Sequence, residues 1–157
     1  MPLPEKPPPG GRALSANQQA TLGILRAAGA ITRGLDLVLK QHGLTATQYS
    51  VMVILRGAGK HGASNSAIAE RMIKAEPDMT RLLDRLERRG WILRERGYPD
   101  RRSVTSWITV EGLQLLRRLD PVVHEQNLRP FAGMKIAEIQ QLIAGLEKVL
   151  EALDQPS

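Results

Sequence analysis

The run Pro77-Asp78-Met79-Thr80-Arg81-Leu82-Leu83-Asp84-Arg85-Leu86-Glu87-Arg88-Arg89-Gly90, followed at once by Trp91-Ile92-Leu93-Arg94-Glu95-Arg96, decides the fold. Met79, Leu82, Leu83 and Leu86 recur at i, i+3, i+4 and i+7, the spacing that gathers side chains on one side of an α-helix. Pro77 suits a first helical turn, where its missing N–H is not needed, and Gly90 supplies a stop, so the spacing predicts a helix of about 13 residues. The opposite side offers Asp78, Thr80, Arg81, Asp84, Arg85 and Arg88, with Arg81 and Arg85 one turn apart and facing the same way. An arginine so placed can meet both guanine acceptors of a DNA major groove with its planar fork, although a mixed basic and acidic surface is also what a merely solvated helix carries.

Beyond Gly90 the periodicity changes. The β-prone runs Trp91-Ile92-Leu93-Arg94-Glu95-Arg96 and Ser103-Val104-Thr105-Ser106-Trp107-Ile108 flank the turn-forming Gly97-Tyr98-Pro99-Asp100-Arg101-Arg102, which predicts a two-stranded hairpin with a basic tip. Adjacent arginines on such a tip, Arg101 and Arg102, can put a guanidinium into a narrow minor groove whose negative potential attracts it, with Asp100 orienting Arg102 through an ion pair. Upstream, Ser64-Asn65-Ser66 signals a helix start, and Ile68, Ala69, Met72 and Ile73 give that short helix an apolar side before Pro77. Thr45 with Gln48 three positions on is a capping-box pattern, so another helix starts near Thr45 and stops around 57–59. Two short helices on a tight connection, the second followed by a hairpin, form a winged helix-turn-helix.

Working further outward, Leu22, Leu25, Ala28, Ile31, Leu35 and Val38 predict a long first helix over about 17–41. Thr109 caps a helix through about Asn127, bent or interrupted by Pro121, and after Pro130 a last helix carries Ile136, Ile139, Ile143, Leu146, Leu150 and Leu153 on one side. Residues 1–12 hold Pro2, Pro4, Pro7, Pro8 and Pro9 and read as a disordered proline-rich tail. The reading is a mainly α chain with a small β-hairpin wing: one domain over 13–157, a winged helix at about 44–109, and flanking helices at about 17–41 and 110–153. The aliphatic stripe of the last helix has few partners inside so small a unit, so Ile139, Ile143, Leu146, Leu150 and Leu153 are expected to pack on a second copy; packing within one chain is the other reading.

Composition sets the outer bounds. With 157 residues the chain is short for a two-domain enzyme, and with one Phe, two Tyr and two Trp its core must be aliphatic. No Cys means no disulfide and no thiolate nucleophile or metal ligand, in keeping with a cytoplasmic location. No apolar run approaches the ~20 residues that span a bilayer, and the N-terminal stretch lacks the apolar region of a signal peptide, so no membrane association is expected. The 22 Lys and Arg against 16 Asp and Glu, a net charge of +6, favour a polyanionic partner. His42, His61 and His124 are scattered, and no Ser-His-Asp signature, phosphate-cradling glycine motif or metal-ligand cluster is present, so neither catalysis, a metal nor a resident cofactor is expected.

Taken together these segments resemble the MarR family of winged-helix transcriptional regulators over roughly residues 20–153. Leu44-Thr45-Ala46-Thr47-Gln48-Tyr49 is similar to that family's second-helix opening, Ala69-Glu70-Arg71-Met72 to its third helix, and residues 77–90 to its recognition helix. The most specific stretch is Asp100-Arg101-Arg102-Ser103-Val104-Thr105-Ser106-Trp107-Ile108-Thr109, similar to the family's wing, with Ile108 where Leu is usual. The resemblance implies that Pro77, Thr80 and Arg81 approach the major groove, that Arg102 enters the minor groove supported by Asp100, and that the terminal helices join two protomers. Asp78 departs from the small hydroxyl residue common there, which puts a DNA contact at that position in doubt. Trp107 is also unusual, with an exposed indole, a pocket wall and plain packing all open. The implied function is sequence-specific binding of double-stranded DNA as a homodimer on a pseudo-palindrome, as a repressor responding to a small aromatic or anionic effector. His42, Tyr49 and Met52 are the pocket candidates, with ordinary packing as the other reading. The alternative from another class is a winged-helix protein-interaction module without specific DNA binding.

Overall fold

The computed structural model describes residues 13–97 and 103–154. The expected proline-rich tail at 1–12 and the expected wing-tip residues Asp100, Arg101 and Arg102 lie outside the described residues. Helix α1 (Ala16–Lys40) opens on a capping box: the Ser15 hydroxyl accepts the Gln18 N–H at 3.3 Å, and the Gln18 side chain accepts the Ser15 N–H at 2.9 Å. The same device opens α2 (Ala46–Ala58) as its sequence predicts, with Thr45 and Gln48 exchanging two bonds of 3.1 Å. A 3-10 turn (Gly59–His61) leads to strand β1 (Ala63–Ser64) and then to α3 (Asn65–Arg71), which the Ser64 hydroxyl caps by accepting the Ala67 N–H at 3.2 Å. Helix α4 (Met79–Arg88), strands β2 (Ile92–Arg96) and β3 (Val104–Ile108), and helices α5 (Val110–Leu128) and α6 (Ile136–Asp154) complete the chain.

Three expectations change. Pro77 does not stand in the first turn of α4: the helix begins at Met79 with Asp78 as its cap, which shortens it to 10 residues. A carboxylate that accepts a free backbone N–H at a helix start holds that position more firmly than a proline, which only tolerates it. The hairpin is part of a three-stranded antiparallel sheet of order β1-β3-β2, with Ala63 opposite Ser106, and Ile92 to Arg96 running against Ile108 to Val104. Helix α5 runs through Pro121 without interruption, because one missing N–H bond is outweighed where Leu115, Leu116, Leu119 and Val123 are buried along its inner side.

The core is aliphatic, as composition requires. Leu39 of α1, Val51, Met52 and Leu55 of α2, Ile68 of α3, Leu83 and Leu86 of α4, and Leu116 and Leu119 of α5 are fully buried. At about 1.5–3 kcal/mol for each fully buried large aliphatic side chain, this cluster is what fixes α4 on the lobe and turns its other side outward. Gly62, at φ 62°, passes so close to the sheet that a Cβ would lie 2.6 Å from the Trp107 indole nitrogen and 2.7 Å from the Ser106 carbonyl oxygen.

The terminal helices behave differently. Leu39 is the one buried residue of α1, and none of α6 is buried. Ile143, Leu150 and Leu153 are 50 %, 60 % and 74 % exposed, Ile139 and Leu146 are half-buried, and Leu25 on α1 is 64 % exposed. An apolar side left open along a 19-residue helix is unusual for a chain that stays alone in water. Among the described residues, no helix is long and apolar enough to cross a membrane.

Candidate nucleic-acid interface

The buried row Leu82, Leu83 and Leu86 leaves Thr80, Arg81, Arg85 and Arg88 exposed on the outer side of α4. Asp78 is exposed too, and its Oδ1 accepts the Arg81 N–H at 3.0 Å. Its task is therefore to cap the backbone, a role that the pattern of charges alone did not suggest. Pro77 is exposed just before that cap. Among the described residues, the guanidinium groups of Arg81, Arg85 and Arg88 have no carboxylate partner.

Arg81 and Arg85 face the start of α2 across a cleft of about 330 Å³ that Thr45, Thr47, Asp78 and Glu76 also line. Hydroxyl groups at a helix start thus share a face with two arginines that have no carboxylate partner among the described residues, an arrangement suited to a phosphate backbone beside a groove. Thr47 was not among the expected contact residues, and the capping box at Thr45 was the signal that could have placed it.

The two acidic residues of α4 are already engaged. Glu87 accepts the Arg94 N–H at 3.1 Å through Oε1, and the Arg94 guanidinium at 3.0 Å and 2.7 Å through Oε2. The same guanidinium also pairs with Asp84. Burial pulls the Arg94 pKa down, but hydrogen bonds and charge from Glu87 and Asp84 more than offset this and hold it above the ordinary arginine value. At the end of α4, Arg89 stacks on the Trp91 ring at 4.5 Å and donates to the Gly43 carbonyl at 2.5 Å, which ties the helix to the turn between α1 and α2.

On the wing, the Gly97 N–H donates to the Ser103 carbonyl at 2.7 Å where the hairpin leaves the sheet. Trp107 is half-buried, and its indole N–H donates to the Lys60 carbonyl at 3.2 Å, so it braces the wing against the turn after α2.

Of the pocket candidates, Tyr49 and Met52 lie one turn apart on α2, and His42 precedes that helix. Met52 lies fully buried in the core, and His42 is exposed in the turn after α1. Tyr49 is half-buried; burial and the nearby Asp120 raise its pKa, while Arg56 opposes them. Arg56 Nη1 lies 2.9 Å from both Asp120 oxygens and so links α2 to α5.

Residues 44–104, which hold α2 to the wing, match the MarR family. The regulator PecS of Dickeya dadantii is 33 % identical over 124 residues, covering 76 % of this chain and 75 % of that protein. A MarR transcription factor from Planctomyces limnophilus superposes with a TM-score of 0.68 at 34 % identity, over 87 % of this chain and 98 % of the other. A MarR family transcriptional regulator from Streptomyces coelicolor, solved in complex with DNA, has the same fold with a TM-score of 0.78 at 24 % identity, over 93 % of each chain. A lobe with arginines outward on α4, and identity above 30 % across most of two relatives, lead to one conclusion: the chain belongs to the MarR family.

Proposed function

We propose that this protein is a cytoplasmic regulator of transcription that binds double-stranded DNA as a homodimer on a pseudo-palindromic site and represses there. The observation that carries this reading is that Arg81, Arg85 and Arg88 stand exposed on α4 with no carboxylate partner among the described residues, while Leu82, Leu83 and Leu86 commit the other side of that helix to the core. Each copy supplies one such helix, and a twofold relation sets the two about 34 Å apart, one turn of the duplex. The wing residues Arg101 and Arg102 reach the flanking minor groove, with Asp100 supporting Arg102. The open apolar sides of α1 and α6 supply the contact between copies.

A small aromatic or anionic effector, bound near Tyr49 and the Arg56 to Asp120 link, adjusts how the lobe sits on the helices that join the copies. In this reading the protein catalyses nothing. The experiment is selection of the preferred duplex from a random pool, followed by release assays with small aromatic acids. A pool in which no pseudo-palindrome is enriched would sink the proposal and leave a protein-interaction role for the lobe.

A further inference from the structure

The recognition helix carries its charges in a contradictory order. Arg81, Arg85 and Arg88 alternate with Asp84 and Glu87, and a carboxylate three or four residues from an arginine on a helix is placed to pair with it. Asp84 is three residues from Arg81 and four from Arg88, so left to itself it would draw one of the guanidinium groups away from a ligand. Neither pair forms. Both carboxylates are instead turned onto Arg94, which comes from strand β2 on the edge of the sheet and whose side chain is only 17 % exposed.

The grip is specific. Glu87 takes the backbone N–H of Arg94 with one oxygen and the guanidinium with the other, so it bends toward the sheet and away from the outer side of α4. The Nη2 group that reaches Glu87 also reaches Asp84, which places both acids against one cation. A lysine could not hold this arrangement, because it lacks the planar set of donors that serves two carboxylates at once.

We infer that Arg94 is a positioning residue for DNA binding: it sequesters Asp84 and Glu87 so that Arg81, Arg85 and Arg88 stay uncommitted and neither of these two carboxylates is free to confront the phosphates. The inference rests on the DNA-binding reading above and adds to it a residue that never touches DNA. In its absence two penalties arise together, repulsion between free carboxylates and phosphate, and capture of Arg81 or Arg88 by Asp84.

The test uses the full chain and the duplex chosen by selection, with affinity measured over a salt series and thermal melting as the check on folding. R94Q should weaken binding to both selected and random duplexes by about tenfold, the scale of one lost arginine contact, and should reduce the salt slope by about 1. D84N/E87Q, which keeps Arg94, should bind as well as the unaltered protein or more tightly, most visibly on random duplexes. The decisive variant is R94Q/D84N/E87Q, which should recover affinity to within about threefold of the unaltered protein although Arg94 is still missing. A folded triple variant as weak as R94Q would overturn the inference, because Arg94 would then act on DNA or through packing. Weaker binding by D84N/E87Q would overturn it too, and that variant decides the matter even if R94Q fails to fold. If the unaltered protein enriches a pseudo-palindrome and R94Q binds it equally well, the inference alone falls; if no duplex is enriched, it falls together with the DNA-binding reading.

Discussion

Substitution of Leu150 tests the proposed pairing of protomers most directly, because within one chain this residue has little to lose. It is 60 % exposed on α6, a helix with no buried residue. Fully burying a leucine is worth about 1.5–3 kcal/mol, so covering the open part of Leu150 would contribute about 1–2 kcal/mol. A twofold interface contains it twice, so Leu150→Ala should cost about 2–4 kcal/mol per dimer. In dissociation constant that is about 30- to 1,000-fold. Leu150→Glu should cost more, since a carboxylate in a dry interface must be solvated or neutralised. Sedimentation velocity across a protein dilution series reads the dimer constant, and far-ultraviolet circular dichroism reads helicity. Monomers with native helicity and a cooperative melt are the expected result for Leu150→Glu. A variant that stays dimeric at the unaltered constant would refute the reasoning, since it would mean that Leu150 faces water in the pair as it does in one chain.

Other outcomes follow from single residues. Arg81→Ala should cost about 1–3 kcal/mol on the selected duplex and much less on random DNA in a binding titration; equal losses would reassign Arg81 to a phosphate. Arg102→Ala should weaken every duplex, most where A·T-rich flanks narrow the minor groove, and Asp100→Ala should be a milder version; tighter binding by Asp100→Ala would instead mean that the carboxylate repels phosphate. Gly62→Ala should lower thermal stability by about 2 kcal/mol or more, because the left-handed backbone strains an alanine and its Cβ would press on the Trp107 ring and the Ser106 carbonyl; an unchanged melting temperature would contradict that packing. Tyr49 has a raised pKa, so the folded state holds its phenolic proton more tightly than the unfolded chain. That contribution is complete below the unfolded value and lost as pH rises through the folded one, so the difference in melting temperature between the unaltered protein and Tyr49→Phe should be constant at lower pH and change only in that range.

The sequence was most legible where a signal is local. The Thr45 and Gln48 pair marked the start of α2, Gly90 marked the end of the recognition segment, and the leucine rows named the sides that pack. The same capping pattern at Ser15 and Gln18 stood in the sequence unused and marks where α1 begins. What escaped was of two kinds. Strand β1 is two residues long, too short to show alternation, and only pairing with β3, some forty positions on, defines it. The links from Arg94 to Asp84 and Glu87, and from Arg56 to Asp120, join elements that no spacing rule relates. The capping role of Asp78 went unread, although a carboxylate three residues before Arg81 suits a helix cap.

By pairing with β3, the short strand β1 fastens the wing to the residues that open α3, while Arg94 and Arg89 fasten α4 to the wing on one side and to the turn before α2 on the other. Among the described residues, bending the reading helix against the sheet would mean breaking the Arg94 links to Glu87 and Asp84, and bending the sheet away from α3 would mean opening an antiparallel ladder. In the proposed pair each lobe would therefore act as one jaw of a gauge, its described elements held to one another. In the proposed pair, the only dimension left to adjust is the gap between the jaws, which must match one turn of the duplex, about 34 Å. The proposed effector would not need to disturb the jaws at all: widening the gap by a few ångströms would take one recognition helix out of phase with the groove, and the grip on DNA would be lost as a whole.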